Sequence, residues 1–162
     1  YAGQTYQAAY TISLGFNAGC NYQSSYAIAL GFRTGESMQL QSAIAIGTYA
    51  GQSNQHTSAI AIGGSSGQKY QSTNAIAIGV NAGQSAQGQN AISVGGNAGF
   101  TNQSSGAVAI GFQAGFNTQG QSSVAIGGNA GGVSLGSGAI AIGYLAGGSG
   151  ASRLFRDVEL EK

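Results

Sequence analysis

Small and bulky apolar residues alternate along this chain in a recurring five-residue unit that closes on glycine. The copies are TISLG (Thr11–Gly15), AIALG (Ala27–Gly31), AIAIG (Ala43–Gly47, Ala59–Gly63, Ala75–Gly79 and Ala139–Gly143), AISVG (Ala91–Gly95), AVAIG (Ala107–Gly111) and SVAIG (Ser123–Gly127). Each closing glycine lies 16 residues after the one before, without insertion or deletion. Alternation with period two predicts short β-strands rather than helices. Glycine at the end of each unit supplies corners that other residues adopt only at a cost. The absence of proline leaves every backbone N–H available for a β-ladder.

The rest of the unit is equally regular. Three and four residues after the closing glycine come a small residue and a second glycine, as in Ala50-Gly51 and Ala82-Gly83. Eight residues after it comes glutamine, giving the column Gln7, Gln23, Gln39, Gln55, Gln71, Gln87, Gln103 and Gln119, which ends at Leu135. A fixed period with one clear strand, two glycine corners and a polar return segment describes one coil of a solenoid. The predicted fold is therefore all-β, a parallel β-solenoid (β-roll) of about ten 16-residue coils. At ~4.8 Å per coil it would form a rod roughly 40 Å long.

Both faces of the pentapeptide are apolar, one bulky and one small. The bulky positions (Ile44, Ile46, Ile60, Ile62, Ile76, Ile78, Ile92, Val94, Val108 and Ile110) are expected to fill the solenoid interior. The small positions (Ala43, Ala45, Ala59, Ala61, Ala75, Ala77, Ala107 and Ala109) are expected to form a flat outer strip that packs against another copy of the chain. The glutamines read as a side-chain amide ladder, with a column of solvated polar residues as the alternative. The aromatic columns, Tyr6, Tyr22 and Tyr70 in one and Phe16, Phe32, Phe112 and Tyr144 in another, read as stacked packing, with a receptor- or carbohydrate-binding stripe as the alternative.

Composition divides the chain in two. Five basic and four acidic residues are present, and only Arg33, Glu36 and Lys69 precede residue 153. Residues 1–147 read as the repeat domain. Residues 148–162 read as a glycine linker with a charged cap or neck, in which Leu154, Phe155 and Val158 fit one helix face and Leu154, Val158 and Leu160 fit a strand. The net charge of +1 gives no footprint for nucleic acid or an anionic membrane surface. No run of 18 apolar residues suggests a spanning helix. The chain opens in mid-repeat, Tyr1-Ala2-Gly3-Gln4 matching Tyr49-Ala50-Gly51-Gln52, and so reads as a fragment or a processed product.

The SVAIG/AIAIG pentapeptide followed by a small residue and glycine resembles the head repeats of trimeric autotransporter adhesins and related repeats of viral and phage fibre proteins. The resemblance covers roughly residues 1–147, although the 16-residue spacing with its glutamine departs from the adhesin-head unit. It implies a left-handed parallel β-roll, with three chains packed by their inner strands around a three-fold axis. It also implies adhesion or display at a cell or virion surface, with the chain itself as partner and a receptor or glycan as ligand. Two other readings stand beside it: a self-polymerising extracellular filament, and an ice-binding solenoid, for which threonine columns would be expected on the flat face.

No pattern points to catalysis, a metal or a cofactor. His56 is the only histidine, with no second ligand candidate nearby. The repeats lack the aspartates of calcium-binding β-rolls. No GxSxG elbow accompanies the serines, and Gly63–Lys69 lacks the spacing of a phosphate loop. Cys20, the only cysteine, excludes an internal disulfide framework.

Overall fold

The computed structural model describes residues 1–148, and the expected linker and cap or neck over 149–162 lie outside the described residues. Residues 1–148 form a parallel β-solenoid of 18 short strands in two nine-stranded sheets. There are nine strand pairs, one for each pentapeptide, against the ten or so coils expected. One sheet stacks the pentapeptide strands, from Ile12–Leu14 to Ile140–Ile142, and is called here the aliphatic sheet. The other stacks the return segments that end in the glutamine column, from Thr5–Gln7 to Ser134–Leu135, and is called the polar sheet. Every strand pairs with its equivalent one repeat away: Ile60 opposite Ile76, Ala61 opposite Ala77, Gln55 opposite Gln71. Identical residues therefore stack in columns along the rod.

The corners explain the two glycine columns. Gly63, which closes a pentapeptide, has φ +122°, and a β-carbon there would sit 2.7 Å from the backbone oxygen of Gly79 in the next coil. Gly67 has φ +48°, and a β-carbon there would lie 2.7 Å from the amide carbon of Gln71. The first glycine is required by coil-on-coil contact and the second by the glutamine side chain packed against it. The remaining turns use left-handed backbone at non-glycine positions, among them Asn81, Asn97 and Asn129 (φ 55°, 56° and 56°). Asparagine tolerates this region better than most residues.

The two faces of the pentapeptide are the reverse of the expectation. Ala43, Ala45, Ala59, Ala61, Ala75, Ala77, Ala107 and Ala109, expected on an outer strip, point inward and have 0% exposure. Ile44, Ile46, Ile60, Ile62, Ile76, Ile78, Ile92, Val94, Val108 and Ile110, expected in the interior, lie on the outside, half-buried or exposed. The cause is the narrowness of the coil. From the polar sheet, the Gln55 side chain reaches across to the backbone oxygen of Ile44 in the aliphatic sheet, 2.8 Å from its Nε2. Stacked sheets usually stand ~10 Å apart, with side chains from both filling the gap. Here a single glutamine bridges the interior, leaving room beside it only for methyl groups.

Candidate functional site

Two features stand out along the rod: the internal amide ladder and the outer aliphatic face. The ladder begins at Gln7 and ends at Gln119. Each glutamine Nε2 donates to the Oε1 of the next, at 3.0 Å from Gln7 to Gln23, 3.1 Å from Gln23 to Gln39, and 3.0 Å from Gln39 to Gln55. The series continues through Gln71, Gln87 and Gln103 to Gln119 at 3.1–3.2 Å. The same Nε2 also faces two backbone carbonyls; that of Gln71 lies 2.7 Å from Ile60 O and 3.2 Å from Ala75 O. Its two hydrogens are thus shared among three acceptors. From Gln23 onward the glutamines are 0–1% exposed, so the column is internal and not a solvated stripe. Among the described residues no buried side-chain nitrogen or oxygen lacks a partner.

Serine joins the ladder wherever it replaces an inward alanine of the third position. Ser93 Oγ donates to Gln103 Oε1 at 2.6 Å, and Ser13 Oγ donates to Gln23 Oε1 at 2.6 Å. The ladder gives way to a hydrocarbon plug at Leu135, which packs with Ala109, Ala125, Ala130 and Ala141.

On the outside, each strand of the aliphatic sheet presents two branched apolar side chains, in two columns along the rod. In the middle coils Ile46, Ile62 and Ile78 are 36%, 36% and 39% exposed. Where aromatic or branched residues follow the closing glycine, they widen this face: Phe16, Phe32, Val80 and Phe112 are all exposed. Phe16 and Phe32 stack with ring centroids 5.4 Å apart. No charged side chain interrupts the strands of this sheet. Sequence reasoning identified these residues as a set but placed them on the wrong side.

The polar sheet and its corners carry further ladders. Tyr6 and Tyr22 stack at 4.6 Å, and Tyr10 and Tyr26 at 5.2 Å, on the first two coils. Tyr70 is exposed and stacks on neither, while Phe112 and Tyr144 lie over Gly96 and Gly128 of the coil before each. At the corner entering the polar sheet, Gln68 donates to Gln52 (2.9 Å) and Gln52 to Glu36 (2.8 Å). Arg33 pairs with Glu36 at 2.9 Å and lies over the Tyr49 ring. The hydrogen bond and charge of Glu36 raise the Arg33 pKa.

His56 stands alone on the surface. Among the described residues no three metal-ligating side chains come together, and no helix is long and apolar enough to cross a membrane. No known protein family, curated protein or solved structure matches this chain.

Proposed function

We propose that the chain is a rigid, non-catalytic segment of an extracellular or virion-surface fibre, built from copies of itself and carrying adhesion or display. The observation that carries this reading is the uninterrupted aliphatic outer face. Nine three-residue strands at ~4.8 Å, each ~10 Å long, make an apolar surface of roughly 430 Å², widened at the corners by Phe16, Phe32, Val80, Phe112 and Tyr144. Patches of about 300–600 Å² are the largest that a typical soluble monomer exposes, and they are often functional. The face is therefore suited to burial against a second copy, in the role first expected of the alanines. The resemblance to fibre repeats favours a homotrimer, in which each chain would meet two neighbours.

The aliphatic character of this face also weighs against ice binding, for which threonine columns were expected. The test is substitution on the face. The double variant Ile62→Lys/Ile78→Lys is expected to keep the β-sheet circular dichroism of the native chain while releasing monomers in sedimentation velocity. A native chain that already sediments as a monomer at micromolar concentration would remove the reading. Long fibrils in electron micrographs would replace it with the end-to-end filament.

A further inference from the structure

The corner column entering the polar sheet is occupied by paired side chains for most of its length and then breaks. Gln52, Gln68 and Glu36 form its hydrogen-bonded ladder, and Phe100 and Phe116 continue it as a stacked pair, with centroids 4.9 Å apart and planes 8° apart. The next two positions of the column are Gly132 and Gly148. The stack has no third ring, and a groove of about 320 Å³ lies beside Phe116 and Gly132. Leu145 and Val133 supply further apolar wall, while Gln113 and Asn129 line it with side-chain amides. Neither amide makes a hydrogen bond among the described residues, unlike Asn81 and Asn97 of the same column, which pair at 3.1 Å. Among the described residues no charged side chain lines the groove.

We propose that this groove is a binding subsite for a single neutral pyranose ring, the terminal sugar of a surface glycan. An apolar concavity with a few convergent polar groups is the usual form of a small-ligand site, and ~320 Å³ is at the small end of the ~300–1,000 Å³ range. An aromatic face carries negative charge density and attracts the weakly positive C–H face of a sugar. The hydroxyl rim of that sugar needs donors and acceptors that are not already paired, and a side-chain amide supplies both. The uncharged lining among the described residues suits a neutral sugar. The groove lies on the corner between the sheets and uses no residue of the aliphatic strands.

One such subsite binds weakly, at a Kd on the order of 1 mM, but a fibre presenting one per chain gains avidity from a glycan-covered surface. The biological role as an adhesin subsite rests on the fibre reading, whereas the binding itself does not.

Gly132 supplies a variant that separates binding from folding. Its φ is not in the left-handed region, and the same column accepts phenylalanine at 100 and 116. Gly132→Phe is expected to fold, extend the ring stack and fill the groove. The experiment is saturation-transfer NMR on the full-length chain, with neutral methyl pyranosides (gluco, galacto, manno and N-acetylglucosamine forms) and benzyl alcohol as a flat aromatic control. Transfer to at least one pyranoside is expected, lost in Gly132→Phe and Phe116→Ala and kept in Tyr22→Ala, with circular dichroism confirming the fold of each. Transfer to no pyranoside, transfer to benzyl alcohol alone, transfer that survives Gly132→Phe, or transfer lost in Tyr22→Ala would each overturn the proposal. Mass measured on the same sample keeps the two readings apart: a monomer that binds retains the subsite and loses the fibre, and an oligomer that does not bind does the reverse.

Discussion

Replacing Ala61 by leucine places three extra carbon atoms where the solenoid has no room for them. Ala61 is fully buried in the middle of the rod, stacked between Ala45 and Ala77, with the bridging glutamines filling the space between the sheets. Overpacking a tight core costs typically ~1–3 kcal/mol. Relief by rotation would push the longer side chain into the glutamine ladder, and relief by sheet separation would lengthen the Gln71–Ile60 and Gln55–Ile44 bonds, now 2.7 and 2.8 Å. A cost at or above the top of that range follows. For a chain of this length each kcal/mol moves the melting temperature by ~2–4 °C, so a drop of roughly 6–12 °C is expected.

The neighbouring residue gives the contrast. Ile62 is 36% exposed, and truncating it to alanine in the background of Ile46→Lys/Ile78→Lys, charges added on either side of it to keep the chain monomeric, is expected to remove only part of a side chain's transfer free energy, ~1 kcal/mol. Thermal melts followed by circular dichroism measure both. If Ile62→Ala cost about 2–5 kcal/mol, the range for a buried aliphatic, and Ala61→Leu were neutral, the assignment of the faces would be refuted.

Three further outcomes follow from the interior and its corners. Gln71→Leu breaks the ladder in mid-rod, removing amide bonds to both Gln55 and Gln87, and should cost more than Gln119→Leu, which of the ladder bonds loses only that from Gln103 and extends the plug at Leu135; each variant also loses its two bonds to backbone carbonyls. At ~1–1.5 kcal/mol per net hydrogen bond, the denaturation midpoints of the two variants should be separable. Gly63→Ala forces a strained backbone and a β-carbon against Gly79 O, costing about 2 kcal/mol or more, whereas Gly64→Ala meets nothing within 4 Å and should be neutral within ~0.5 kcal/mol in the same melts. Ser93→Ala removes the 2.6 Å bond to Gln103 while Gln87 keeps its amide bond to that oxygen, so a loss near ~1 kcal/mol is expected.

The period, the pentapeptide strands, the parallel register and the glutamine ladder were legible from spacing, because a fixed period without insertions forces equivalent residues to stack, whereas the second strand of each coil, such as Ser53–Gln55, read only as a polar return segment. The polarity of the strand was not. Placing the bulky residues inside rests on the general behaviour of wide cores, and it fails where two sheets approach within reach of one glutamine. A signal for the correct choice was present in the substitutions. At the first and third places of the pentapeptide only Ala, Ser and Thr occur, whereas the second and fourth places vary among Ile, Leu and Val. A position that holds only small residues, even at the expense of a hydroxyl, is limited by space. Ser93 and Ser123 show it directly: both are fully buried, and their hydroxyls bond Gln103 Oε1 and Gly120 O. The groove beside Gly132 was less legible still, because glycine in a variable corner column looks like any other loop glycine until Phe116 is seen standing over the gap.

Native mass tests the central claim most directly. Light scattering on the full chain at micromolar concentration should return three times 16.0 kDa, falling to 16.0 kDa in Ile62→Lys/Ile78→Lys with the β-sheet spectrum intact. A native chain that scatters as a 16.0 kDa monomer would mean that the aliphatic face is stable in water and that the rod stands alone.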